Sequence, residues 1–442
     1  MEADLVGAER GISSLPTETL LDIFDHCRVK YYDFFLDIIS VRGGPLSVTS
    51  VCQRWRHVAL STPTLWTDVH LNILTYSLGD AIARLQGLLE RSGDLPLSVI
   101  VQNHCITPDS DLVPALQLLA SHSARWEHAD IALGNSQFCN LTSIRGCLPL
   151  LRRATITIRG YTFGAQWDPY RGLFAECPAL ESFEHVGQNF DLPWEQLVRY
   201  STRRPLLPLQ FHDLKRLTSV RALGLQTVLA SDFTPEQRSS QLHLPSLERA
   251  FVDPSDLPIL RAPALTQCHF YGHLETLESV HELANALSGS PCSLTVLSIF
   301  LYQEAASAEA LSLVLAACPT LRVLRLRMQY KLVHDEDASA LLIELFTTFI
   351  VREDTTPLVP KLEELTVMTL IYRPLDGLRS LEDAIASRRD MLRSVSLYTV
   401  AGQYDVLARE GLFDSGGPCV ASIKYDLSPE EYGRIWEDMR RV

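Results

Sequence analysis

The chain has 442 residues, too many for one ordinary hydrophobic core, so two or three domains or one repeat array are expected. Hydrophobic residues make up 46% and charged residues 21%, a balance that buries a core and excludes extensive disorder. The formal charge is −14, with −2 on residues 1–11 and none net over 12–66, leaving −12 for the rest; so acidic a body speaks against tracking nucleic-acid phosphates.

Residues 1–11 read as a tail, and the first elements lie in residues 12–66. Ser13 or Ser14 suits a helix N-cap, Pro16 suits a first turn, and Glu18 sits where the helix dipole favours an acid. Leu20, Leu21, Ile23 and Phe24 then cover more than one side of that helix, a wider apolar surface than a lone helix keeps in water. Val48, Val51, Cys52, Trp55, Val58 and Ala59 recur at helical spacing, with Arg54, Arg56 and His57 between them, until Pro63 stops the run. The pattern alone fits either a docking module or a small helical subdomain whose Trp55 and Trp66 are core.

The residues Leu15, Pro16, Glu18, Leu20, Leu21, Ile23 and Phe24, followed by Val51, Cys52, Arg54, Trp55, Pro63, Leu65 and Trp66, resemble the F-box family. The resemblance is to the F-box proteins that mushroom-forming fungi carry in large numbers. It implies a three-helix hook over 12–66 that binds a Skp-type adaptor and, through it, a cullin-RING ubiquitin ligase. The positions expected to meet the adaptor are Leu15, Pro16, Leu20, Leu21, Ile23, Phe24, Val51, Cys52 and Trp55, some of which must instead join the helices; Trp55 is the foremost of these. The chain departs from the family in an insert over 28–45, which carries Tyr31, Tyr32, Phe34, Phe35, Ile38 and Ile39.

Residues 67–123 read as a junction and degenerate first repeat, with strands at Val69–Leu71 and Leu97–Val101 and a helix over Leu78–Arg91. From 124 to 427 a phrase recurs: a Pro or Cys, then an apolar anchor, then alternating apolar residues. Its anchors are Trp126, Leu151, Leu180, Val220, Leu247, Leu265, Leu294, Leu321, Leu362 and Leu392, at intervals of 25, 29, 40, 27, 18, 29, 27, 41 and 30 residues. Several intervals match the 20–29 of leucine-rich repeats, which the phrase resembles without the usual Asn ladder. The 40 and 41 imply insertions, and the 18 a repeat trimmed of its helix. Helices are expected near Ala305–Ala317 and Ser339–Val351. The expected fold is α/β, a three-helix hook followed by an irregular solenoid with parallel strands on the concave side and helices outside. The alternative is an ordinary α/β domain whose strand entries look alike. Ser428-Pro429-Glu430-Glu431 is a capping box that opens a C-terminal helix over 428–442, the lid of the last repeat.

No constellation carries a reaction. Asp414-Ser415-Gly416-Gly417-Pro418 echoes a serine-protease loop but reads as a surface turn, and His281-Glu282 lacks a second ligand for zinc. No phosphate-cradling glycine motif occurs, so neither a catalytic activity nor a cofactor or metal is expected. The ten cysteines include no CxxC, which fits a reducing compartment and a small-hydrophobe role. With no apolar run of membrane-spanning length and no leader pattern, no membrane association is expected, and cytoplasm or nucleus is the expected location.

Binding has more to offer. Alternation within the strand phrases turns Phe251 and Asp253, His269 and Tyr271, Phe300 and Tyr302, and Arg325 and Arg327 to the inner face, followed by Thr366, Met368, Ser396 and Tyr398. Aromatics and arginine dominate binding hot spots. The target-binding candidates are therefore Phe251, His269, Tyr271, Phe300, Tyr302, Arg325 and Arg327, for a target segment with apolar and acidic groups. The bland alternative is that insertions cover them or that they fill the core. Together the expectations describe a substrate-recruiting F-box subunit of a Skp–cullin–F-box ubiquitin ligase, or the same hook used as a scaffold outside a ligase.

Overall fold

The computed structural model describes residues 15–27, 44–72, 78–103, 109–160, 170–186, 189–202, 212–225, 241–290, 292–302, 307–329, 343–351, 357–369, 375–388, 390–399 and 420–424. The tail, Ser13 and Ser14, most of the 28–45 insert, the 414–418 turn and the 428–442 helix lie outside them. The chain forms two compact units, Met1–Leu197 and Val198–Val442. That division falls inside the stretch expected to be one repeat array and puts the N-terminal helices with the first strands.

In the first unit, α1 (Thr17–His26) has Pro16 at its N-cap, two or three residues later than the Ser13 or Ser14 cap that the sequence suggested, with Glu18 in its first turn. A proline loses nothing there, because that N–H has no helical partner. After α2 (Gly44–Val48) comes α3 (Gln53–Leu60), whose Trp55 meets Phe24 of α1 edge-on at 5.1 Å. The 3-10 turn Pro63–Trp66 then swings Trp66 under α3, where its indole N–H donates to the Ala59 carbonyl at 2.9 Å.

Strands and helices alternate from there: β1 (Asp68–Asn72), α4 (Leu78–Arg91), β2 (Leu97–Gln102), α5 (Asp109–Ser121), β3 (Trp126–Gly134), the short α6 (Asn135–Phe138), β4 (Arg153–Arg159) and β5 (Ser182–Val186). Each strand pairs parallel with the next, through Val69–Val99, Val99–Ala129, Ala129–Ala154 and Ala154–Phe183. Parallel neighbours need a crossover, and α4 and α5 supply it between the first three strands.

The second unit carries β6 (Arg199–Thr202), β7 (Ala222–Leu225), β8 (Leu242–His243), β9 (Arg249–Val252), β10 (Leu260–Arg261), β11 (Gln267–Leu274), α7 (Leu277–Gly289), β12 (Val296–Tyr302), α8 (Ala308–Ala316), β13 (Val323–Gln329), β14 (Glu364–Thr369), α9 (Leu375–Ser387), β15 (Ser394–Thr399) and β16 (Val420–Lys424). All its pairings are parallel, in the order β6, β7, β9, β11, β12, β13, β14, β15, β16, while β8 and β10 form a separate short pair. The α8 helix answers the one expected near Ala305–Ala317. Within Ser339–Val351, residues 343–347 are helical.

The recurrent phrase has a mechanical meaning. In Cys177-Pro178-Ala179-Leu180 the Leu180 N–H donates to the Cys177 carbonyl at 3.2 Å, which is a β-turn with proline at its second position. The same turn closes at Leu148–Leu151, Leu244–Leu247, Ala262–Leu265, Cys318–Leu321 and Val359–Leu362. Each turn drops its anchor into the core, and all ten anchors are buried. Burying one such side chain stabilises by about 1.5–3 kcal/mol. The residue after the anchor then bonds its neighbour across the stack: Arg152 N–H to Glu127 O at 2.8 Å, Glu181 to Arg152 at 2.9 Å, Glu248 to Arg221 at 2.9 Å, Arg322 to Thr295 at 2.9 Å, Glu363 to Arg322 at 2.8 Å and Arg393 to Glu363 at 2.8 Å. In the short Leu247–Leu265 interval a 3-10 turn, Pro254–Ile259, replaces the helix.

Candidate functional site

Two surfaces carry the residues expected to bind, one in each unit. On the N-terminal hook, Leu20, Phe24 and Trp55 are buried and hold the helices together. Pro16 and Cys52 are exposed, Leu15, Leu21 and Ile23 are half-buried, and Val51 is 57% exposed. Of the nine positions expected to meet an adaptor, three are therefore buried and six are half-buried or exposed. Leu60, absent from the expected set, is 41% exposed at the last turn of α3. Its apolar character breaks the helical pattern there, which was the signal available in the sequence.

Polar contacts fix this geometry. The Arg54 guanidinium donates to the Leu15 carbonyl and so ties the entry of α1 to α3. Arg56 Nε donates to the Thr49 carbonyl at 2.9 Å, and Cys52 caps α3 by accepting the Trp55 N–H at 3.5 Å. At the junction, Arg91 of α4 lies 4.9 Å over the Trp66 ring. Both line a cavity of about 250 Å³ with Pro45, Leu46, Ala83, Arg84, Gly87 and Leu88.

The second surface is the strand face opposite the leucine core of β11–β15. Strand register places Phe251, His269, Ser298, Arg325, Thr366 and Ser396 in one row across β9–β15. A second row runs His273, Phe300, Arg327, Met368 and Tyr398. His273 stands there because the β11 register shifts between His269 and His273. Gly272 permits the shift, since a Cβ there would overlap the Asp253 carboxylate and crowd Pro254. Strict alternation had put Tyr271 in that row; its side chain lies outside the described residues.

The face is only partly open. His269 and Ser298 are buried and hydrogen-bonded, Nδ1 to Oγ at 2.8 Å, so this serine–histidine pair is sealed from solvent. Phe300 and Met368 are buried as well. Phe251, Tyr302, Arg325 and Arg327 are half-buried. Arg327 Cζ sits 4.5 Å from the centre of the Phe300 ring, and His273 and Tyr302 flank that ring at 5.4 and 6.3 Å. His273 Nε2 is 2.7 Å from the Glu275 carboxylate. Burial lowers the Arg325 pKa, and Glu364 acts in the opposite direction.

The cysteines follow burial. Desolvation, assisted by Glu176 for Cys177 and by Cys292 for Cys318, pushes both thiols up to about 12, so they stay protonated as small apolar groups. His281 and Glu282 are exposed on α7. Among the described residues there is no cluster of three metal-ligating side chains, and no helix is long and apolar enough to cross a membrane. No family model matches this chain, and neither does any curated protein.

Proposed function

We propose that this chain is a substrate-recruiting F-box subunit of a Skp–cullin–F-box ubiquitin ligase. In this reading the hook seats in a Skp-type adaptor, and the second unit, an irregular leucine-rich-repeat stack, holds a target protein. The subunit has no reaction of its own and works in the cytoplasm or nucleus by raising the effective concentration of target lysines near a separate active site. The observation that supports it most is the division of labour in the hook. Phe24 and Trp55 lock α1 to α3, while Val51 and Leu60 are left exposed and Leu15, Leu21 and Ile23 half-buried, so that these apolar side chains of the hook remain available to a partner.

Affinity purification of the full chain beside Val51→Asp and Leu15→Ala/Pro16→Ala tests this. Wild type should bring down both adaptor and cullin, and the variants, altered outside the buried core, should lose both while melting normally. Adaptor without cullin would point to a scaffold outside a ligase. Equal capture by all three proteins would overturn the hook reading.

A further inference from the structure

We infer that the β11–β15 face reads an extended, carboxylate-bearing segment of the target, with Arg327 as its specificity-determining residue and Arg325 as the second cation. The inference rests on the recruitment reading above and names the chemistry of what the second unit holds.

Three observations carry it. First, Arg325 and Arg327 are half-buried cations on one strand of a chain of net charge −14, with Glu364 acting on Arg325. Second, Arg327 is stacked on Phe300 at 4.5 Å, with His273 and Tyr302 walling the same ring. Stacking fixes the guanidinium plane before any ligand arrives, which cuts the ordering cost of a bidentate contact. Third, the cross-strand neighbours of Arg327 are the buried, apolar Phe300 and Met368. One fork-shaped cation in an apolar setting suits a singly charged carboxylate with apolar flanks, whereas a phosphate dianion asks for several cations and donors together. The two arginines are alternate residues of β13, about 6.6 Å apart, the spacing of alternate side chains on an extended segment. Acids at every second position of a target strand would meet both.

The test is fluorescence anisotropy with the full chain and a fluorescein-labelled peptide alternating Glu with Leu. Two counterparts carry Gln or phosphoserine in place of every Glu. The Glu peptide should bind, the Gln peptide about tenfold or more weaker, and Arg327→Gln should lose the Glu peptide to the same extent. Phe300→Leu, which changes no charge, should weaken the Glu peptide several-fold and leave the Gln peptide unmoved, as expected of a positioning residue. Arg325→Gln gives a second variant should Arg327→Gln melt abnormally. Equal binding of the Gln peptide, binding of the phosphoserine peptide alone, unchanged affinity in both arginine variants, or no binding at all would each overturn the inference. Adaptor capture by the same preparations keeps the two readings apart, since its loss in wild type strikes the recruitment reading, whereas peptide failure with capture intact strikes only this one.

Discussion

Arg388, at the end of α9, is buried to 1% exposure, and among the described residues no carboxylate accepts its hydrogen bonds. Its guanidinium donates instead to three carbonyls: Nε to Phe349 O at 2.6 Å, Nη1 to Val359 O at 3.0 Å and Nη2 to Leu358 O at 2.6 Å. Burial lowers its pKa, and the carbonyl cage offsets part of that cost by replacing water. The cage also holds Val359 at φ +45, a conformation that a β-branched residue rarely adopts alone. Since Val359 opens the turn that delivers Leu362 to the core, one buried cation sets the entry to β14. Arg388→Met should leave these carbonyls without donors and destabilise the fold by about 3 kcal/mol or more, at about 1–3 kcal/mol for each stranded group. Arg388→Lys should not restore it, because a point-like ammonium cannot span a planar fork of three acceptors. Urea denaturation reads both; a loss under about 1 kcal/mol for the Met variant would mean that water replaces the guanidinium.

At the scale of elements the repeating unit is a proline turn, an anchor, a backbone rung and a strand. Charged side chains decorate the rungs: Arg152 lies between Glu127 at 3.5 Å and Glu181 at 3.0 Å, and Glu363 between Arg322 at 2.7 Å and Arg393 at 3.3 Å. Most of these side chains are more than half exposed, and such pairs contribute about 0–1 kcal/mol. Glu181→Ala should therefore destabilise by less than about 1 kcal/mol although it removes the exposed ion pair with Arg152. Leu321→Ala, one residue before the Arg322 rung, should cost about 2–5 kcal/mol. Reversal of that order in thermal melts would make the charges, and not the anchors, the source of repeat stability.

The same anatomy explains what the sequence could disclose. Ten phrases led to ten strands because the apolar anchor and, in six of them, a proline two residues before it at the second turn position are local chemistry, visible without the fold. The β6 strand was hidden in the 40-residue interval because its anchor, Leu197, follows Pro193 by four residues, with a 3-10 turn at Trp194–Gln196 between them. His273 was hidden because a register shift is decided by what lies beside Gly272 on another chain segment, and alternation cannot foresee that. In the hook, helical spacing showed which residues were apolar; only the pairing of Phe24 with Trp55 showed which were spent on packing.

For the whole molecule, the net charge of −14 sets a condition on the acidic target inferred above. At a distance the segment meets a repelling field; near β13 it meets two guanidinium groups. These contributions respond differently to salt. At about 0.01 M the Debye length is roughly 30 Å, so the repulsion of the whole body reaches well beyond the face, whereas at about 0.15 M it shrinks to roughly 8 Å. Contacts at hydrogen-bond distance in a half-buried setting are screened far less. The association rate of the Glu peptide should therefore rise as salt goes from about 0.01 to 0.15 M, while its dissociation rate rises only modestly. A peptide drawn by an extended basic surface would do the reverse and associate more slowly as salt increases. Stopped-flow traces at several ionic strengths separate the cases, and an association rate falling steadily from the lowest salt upward would show that the local cations, not the acidic body, govern approach.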